Sequence, residues 1–214
     1  MKTRNLLLAG GALAAAACAP KAPAPRQPNI LFILADDLGW GDLSCYGQQR
    51  FSTPHIDALA ASGKLFTQCY SGTTVSAPSR SCLVTGTHSG HTPIRGNREL
   101  RPEGQFPLPE GTATLFHDLR HAGYTTGVFG KWGLGFVGTS GDPQRQGVDR
   151  FYGYNCQLLA HSYYPDHLWD NDRRVQLDTT GTYGSGAYAP DLIHEKALAF
   201  MEEAVKEGKP FFLW

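Results

Sequence analysis

The sequence predicts an α/β fold, a mostly parallel central sheet with helices on both faces. Apolar runs of strand length alternate with segments carrying helix start and stop signals, the pattern of parallel sheets. The first run, Asn29 to Ala35, is continuously apolar rather than alternating, as in a central strand covered on both faces. The 25 Gly and 14 Pro fall without a period, which points to many ordered loops rather than a helical bundle.

Before the fold comes an address. Lys2 and Arg4 precede Leu6 to Ala17, an apolar, small-residue stretch of signal length that is too short to span a bilayer. Ala15-Ala16-Ala17-Cys18 resembles a bacterial lipoprotein cleavage box with Cys18 as the lipidated first mature residue. The usual Leu three places before the Cys is Ala here, and an ordinary secretory signal is the alternative. Residues 1–17 are thus expected to be a signal peptide. Residues 18–28, with Pro20, Pro23, Pro25 and Pro28, are expected to be a semi-rigid tether to a membrane surface, of a bacterial periplasm or cell exterior. The folded part is expected over 29–214.

Each element has its own signal. The Asn29–Ala35 strand stops at Asp36-Asp37. Thr53-Pro54 starts a helix, Ile56, Leu59 and Ala60 give it an apolar face, and Gly63 ends it. Leu65 to Tyr70 reads as a second strand, and Pro78 opens a helix holding Arg80, Leu83 and Val84. Thr112 or Thr114 opens another, with Leu115, Leu119 and Ala122 on one face and Gly123 as its stop. Tyr124 to Phe129 is a third strand, ending at Gly130-Lys131. The longest helix runs from Pro190 to Gly208 and leads into a strand at Pro210–Trp214. A chain that stops inside a buried-looking strand is expected to be the first part of a longer domain.

Composition excludes several classes. With 19 Lys+Arg against 19 Asp+Glu the formal charge is zero, which argues against a basic nucleic-acid binder. An apolar content of 41% argues against a disordered tail protein. Beyond Cys18 the cysteines are Cys45, Cys69, Cys82 and Cys156. They allow three pairings in an exported chain, although buried free thiols are the preferred reading. No Cys-x-x-Cys spacing points to a zinc ribbon.

The chemistry is expected where strands end. Asp36 and Asp37 are adjacent carboxylates that repel unless a cation sits between them, and hard oxygen donors favour Ca²⁺ or Mg²⁺. A solvated loop or helix cap would also explain an isolated pair. Ser76 stands just before the helix opened by Pro78, where free N–H donors and the helix dipole favour an anion. Arg80, one turn in, is placed to fold back onto the same anion.

The eleven residues Ser76-Ala-Pro-Ser-Arg80-Ser-Cys-Leu-Val84-Thr-Gly86 resemble the sulfatase signature, with Val84 at its Leu-like position. Asn29-Ile-Leu-Phe-Ile-Leu-Ala-Asp36-Asp37-Leu-Gly-Trp40 resembles that family's opening strand and calcium loop. Gly123-Tyr-Thr-Thr-Gly-Val-Phe-Gly130-Lys131-Trp132-Gly133-Leu-Gly135 resembles its second signature. Three matches in order identify residues 29–214 with the first half of a type I sulfatase, whose fold is alkaline-phosphatase-like.

The resemblance implies sulfate-ester hydrolysis on a sulfated glycan or a small or aryl sulfate ester. It implies that Asp36 and Asp37, with the group at Ser76, hold Ca²⁺. It also implies that Ser76 is oxidised to formylglycine, the nucleophile on sulfur, with Arg80 and Lys131 neutralising the sulfate. A Ser rather than a Cys at this position implies an oxygen-independent, anaerobic-type maturase acting before export. The family commonly has His after Lys-Trp, whereas Gly133 stands here. His161, in a loop with Tyr163 and Tyr164, is the candidate substitute. His88, His91, Arg95, Asn97 and Arg98 follow the signature and could line the pocket, but loop polarity explains them equally. Further calcium ligands and a catalytic His and Lys are expected beyond Trp214. Two readings compete: a zinc phosphoesterase of the alkaline-phosphatase superfamily, and a degenerate, non-catalytic sulfatase relative.

Overall fold

The chain is described from a computed structural model covering residues 27–178 and 186–214. The leader, Cys18 and all but the end of the tether lie outside the described residues. Ten elements follow in order: β1 (Ile30–Leu31), α1 (Pro54–Ser62), α2 (Ser76–Thr85), α3 (Leu115–His121), β2 (Thr125–Lys131), β3 (Arg150–Tyr154), β4 (His167–Asp170), β5 (Arg173–Gln176), α4 (Ala189–Glu207) and β6 (Phe211–Leu213). No helix among the described residues is long and apolar enough to cross a membrane.

The strands form one sheet in the order β1-β6-β2-β3-β4-β5. β1, β6, β2 and β3 are mutually parallel, and β4 and β5 add an antiparallel edge. Residues 211–214 show why helices pack on both faces. Side chains alternate across a strand. Phe211 and Leu213 accordingly pack against Phe200 and Ala204 of α4. Phe212 and Trp214 belong to the opposite core, with Ala77 and Val84 of α2, Phe116 of α3, and Val128 and Trp132. Aromatic rings dominate that second core: Phe116 stacks on Trp214 at 5.7 Å and meets the edge of Phe212 at 5.8 Å.

The helix signals behave as the residues dictate. Pro54 occupies the first turn of α1 and Pro190 that of α4, where a missing N–H costs nothing. Gly208 closes α4 in the left-handed region at φ 67, giving its N–H to Ala204 and Val205. Thr53 and Thr114 sit at the N-cap positions of α1 and α3 without making the side-chain cap bond. Their hydroxyls go elsewhere, Thr53 to Asp57 and Thr114 to the Gln146 carbonyl.

Three expectations are corrected. The Asn29–Ala35 run pairs only over its first residues and only with β6, so it forms an edge among the described residues. Ile33 there is 78% exposed. Leu65 to Tyr70 forms no strand; Tyr46 donates to the Phe66 carbonyl, but among the described residues no strand pairs with it. Of the four cysteines, all free, Cys82 and Cys156 are buried, whereas Cys45 is half-buried and Cys69 exposed.

β3, β4 and β5 carried no sequence expectation. The last two form a hairpin through Asn171 and Asp172, with Asn171 in the left-handed region at φ 54. β3 approaches β2 at paired glycines, Gly130 and Gly153. A Cβ on Gly153, at φ 152, would lie 2.0 Å from the Gly130 carbonyl oxygen, a backbone atom that cannot move alone. Gly153→Ala is therefore expected to cost about 3 kcal/mol or more, read from its denaturant midpoint; an unchanged midpoint would refute this close approach.

Candidate active site

The site assembles at the carboxyl ends of the parallel strands. Asp36 and Asp37 lie in the loop after β1, with Asp37 in the left-handed region at φ 55. Ser76 is the first residue of α2, preceded by an extended Val75. Arg80 is one turn further along and Lys131 ends β2. A cavity of about 290 Å³ is lined by Asp36, Asp37, Thr73, Ser76, Ser79 and Arg80, among others.

Its electrostatic centre is one carboxylate oxygen. Arg80 Nη2 donates to Asp36 Oδ2 at 3.1 Å, and Lys131 Nζ pairs with the same oxygen. Arg80 Nη1 donates to the Lys131 carbonyl, so the guanidinium clamps the strand end as well as the loop. Beneath it, Trp214 holds its ring 5.6 Å from the guanidinium carbon. Arg80 is 6% exposed, and a charge so buried needs a counter-charge. Burial is the largest influence on both Asp36 and Arg80. For Asp36 it acts upward, but Lys131 and then Arg80 outweigh it and hold the carboxyl below its ordinary range. For Arg80 burial wins over Asp36 and lowers the guanidinium.

Five of the six candidate residues from the sequence thus come together: Asp36, Asp37, Ser76 and Arg80 line the cavity, and Lys131 joins through Asp36. His161 does not. It ends a short 3₁₀ turn, Leu159–His161, is exposed, and is not among the residues lining the cavity. Two details also differ from expectation. Arg80 reaches Asp36 and the Lys131 carbonyl rather than the start of its own helix. The Ala77 N–H is not free for an anion, because it donates to Asn97 Oδ1 at 2.9 Å.

The space next to Lys131 and Trp132 is filled by a residue that sequence reasoning passed over. A Cβ on Gly133 would lie 2.3 Å from Gln157 Nε2. Gln157 is 3% exposed, and its Oε1 has no hydrogen-bond partner. The carboxamide therefore stands where a side chain at position 133 would go. No local sequence signal links the two positions, which the β2–β3 register brings together: Lys131 pairs with Tyr154, and the Gly133 N–H donates to the Asn155 carbonyl.

Asp36, Asp37 and Ser76 offer only oxygen donors, which suits Ca²⁺ or Mg²⁺. Among the described residues no group of three or more His, Cys, Asp or Glu could hold a metal. By donor type alone Asp36, Asp37 and Ser76 fit a hard cation, and they would supply part of the six to eight oxygens Ca²⁺ takes.

Known proteins are similar to this chain in sequence and in fold. The family model described as Sulfatase matches residues 28–214. Human arylsulfatase A is 43% identical over 232 residues, a match covering 99% of this chain and 43% of that protein. The N-acetylgalactosamine-6-O-sulfatase of Bacteroides thetaiotaomicron is 44% identical over 214 residues, covering 88% of this chain and 40% of that protein. The crystal structure of Ps i-CgsB in complex with k-i-k-neocarrahexaose aligns with a TM-score of 0.75 at 29% identity, over 87% of this chain and 44% of that one. The chain belongs to the sulfatase family, and its fold is alkaline-phosphatase-like. It spans less than half the length of each of these relatives.

Two predictions follow from the cluster and from Gly133. Because the Asp36 carboxyl is held below its ordinary value of 3.8, its contribution to stability is complete above that pH and is lost as pH falls through the lower folded value. Asp36→Asn should cost about 1–2 kcal/mol at neutral pH, a figure kept small because the Asp36 side chain is 40% exposed. It should also flatten the acid limb below pH 3.8 in thermal unfolding; an unaltered limb would show that the ion cluster stabilises nothing. Gly133→Ala, strained at φ 74 and pressed against Gln157, should lower the melting temperature, and adding Gln157→Ala should recover only the steric part. Full recovery in the double variant would show that backbone strain plays no part.

Proposed function

We propose that the full-length protein is a sulfuric ester hydrolase that removes sulfate from a sulfated carbohydrate or a smaller sulfate ester, with Ser76 matured to formylglycine beside Ca²⁺. One observation carries this reading. Ser76, Asp36, Asp37 and Arg80 share one cavity while Lys131 and Arg80 converge on Asp36 at its edge.

The chain's own residues divide the work. Maturation removes two hydrogens from the Ser76 side chain, converting CH₂OH to an aldehyde, and two electrons pass to the maturase. At position 76 the hydrated aldehyde would offer one hydroxyl to sulfur as the S–O bond to the alcohol breaks and the alcohol leaves with a proton; loss of the second hydroxyl's proton would then break the C–O bond to sulfate and restore the aldehyde. Asp36, Asp37 and the group at position 76 would hold Ca²⁺, which when bound would supply positive charge to offset that of the sulfate. Arg80 lines the cavity and is fixed by Asp36, the Lys131 carbonyl and the Trp214 ring, so a sulfate drawn there by the cation would meet a guanidinium that need not rearrange. Lys131, tied to Asp36, stands next to it as a second cation.

A carbohydrate substrate is supported by two relatives, one an N-acetylgalactosamine-6-O-sulfatase and one crystallised with k-i-k-neocarrahexaose. Export and membrane anchoring through Cys18 are proposed from the leader sequence alone.

Mass spectrometry of the mature protein should find the peptide carrying Ser76 lighter by two hydrogens. Ser76→Ala should lower sulfate release by about 1,000-fold or more. Normal turnover of a sulfate ester by protein with an intact Ser76 would remove formylglycine from the mechanism.

A further inference from the structure

The first turn of α2 has few backbone donors left to give. The opening N–H groups of a helix lack acceptors within it. Here the third helical residue is Pro78, which has no N–H. The Ser79 N–H goes to the Val75 carbonyl at 3.2 Å. Of the two remaining, the Ala77 N–H donates to Asn97 Oδ1 at 2.9 Å, across 20 residues. Ala77 has no exposed surface, so no solvent replaces this acceptor. A donor facing the carboxamide requires its oxygen, which fixes the orientation of the Asn97 amide.

Asn97 is itself held from both sides. Before it, Ile94 sits in the core, and Thr92 Oγ1 donates to Ser81 Oγ at 2.6 Å, tying the loop back to α2. After it, the Arg98 carbonyl accepts from the Phe106 N–H and from Gln105 Nε2, both at 2.8 Å. A side chain pinned this way can hold a helix start in place from a distance, the task that an N-cap residue performs locally. Val75, at the N-cap position, makes no side-chain cap bond.

We propose that Asn97 is a positioning residue for the reacting group: its carboxamide oxygen replaces the missing N-cap and fixes the first turn of α2, and so the direction in which the side chain of Ser76 enters the cavity. The proposal rests on the assignment of Ser76 as the reacting residue. Asn97 needs no contact with substrate. Its effect is on the placement of the neighbouring residue, and small misplacements of a nucleophile are costly in rate.

The test uses the full-length, matured protein, with Asn97→Ala beside Asn97→Asp, which keeps an acceptor oxygen. Four readouts are taken: conversion of Ser76 by mass spectrometry, melting temperature, hydrogen exchange of the Ala77 amide, and kcat and KM on 4-nitrophenyl sulfate. Conversion is expected to be equal in all three proteins. Asn97→Ala should exchange the Ala77 amide about tenfold faster and lower kcat about tenfold, with KM within about threefold. Asn97→Asp should restore protection and most of kcat, its added negative charge appearing as a raised KM. Native kcat and native protection in Asn97→Ala would overturn the proposal, and so would an Asn97→Asp as slow as Asn97→Ala. If the unsubstituted protein cleaves no sulfate ester, the assignment of Ser76 fails separately. The exchange comparison then decides the cap: unchanged protection in Asn97→Ala overturns it and lost protection upholds it.

Discussion

Arg80 needs a counter-charge, and much of this site follows from meeting that need. Its guanidinium is almost without solvent, set over the Trp214 ring in the core that α2 and α3 make with the sheet. A cation in that position is tolerable only with an anion and with acceptors for its N–H groups. Asp36 supplies the first, 44 residues away, and the Lys131 carbonyl supplies an acceptor 51 residues away. One side chain on one helix thus joins the loop after β1 to the end of β2. Lys131 completes the arrangement by meeting the same Asp36 oxygen. The cluster is both a structural joint and the charged wall of the cavity.

The aromatic core serves this joint. Trp214 is placed by backbone pairing, its N–H going to the Gly127 carbonyl and its carbonyl accepting from the Phe129 N–H. Its ring is then stacked on Phe116 and edge-packed against Trp132 and Phe32. Sheet register therefore sets where the ring lies, and the ring sets a floor for Arg80. The route from β6 to the cavity wall passes through the Trp214 ring and the Arg80 guanidinium, contacts of a kind that local sequence does not announce.

What could be read beforehand was local or motif-bound. Pro54, Pro190 and Gly208 act within one turn of themselves, so their signals survive folding unaltered. Pro210–Trp214 is apolar on both sides of its alternation because β6 lies between β1 and β2 with helices on both faces. That Asp36, Asp37, Ser76, Arg80 and Lys131 would lie together was legible through ordered motifs rather than through spacing. The failures are equally physical. An apolar run such as Leu65–Tyr70 becomes a strand only if a neighbour pairs with it, and none does among the described residues. β3 to β5 are short, polar in part, and defined by a hairpin turn at Asn171-Asp172 that has no glycine to mark it. Gln157 was invisible because its meaning depends on the space above Gly133, which exists only once β2 and β3 are in register.

The charges of the cluster bear on what the cavity accepts. Asp36 and Asp37 contribute two negative charges, and Arg80 and Lys131 two positive, a sum of zero. As it stands the wall has no net attraction for an anion. The helix start adds little by hydrogen bonding, since Pro78 lacks an N–H and those of Ser79 and Ala77 are engaged. A sulfate ester would therefore gain little from the chain's local charges alone. A divalent cation held by the two carboxylates, as proposed, would change the sign of the balance and leave an excess of two positive charges for a singly charged ester. Asp36, which meets Arg80 and Lys131, would then share with Asp37 a cation whose charge is left over once those two side chains are counted. The adjacent Asp pair is what a buried arginine beside a proposed metal would call for: one carboxylate answers the side chains, and both together would answer the metal.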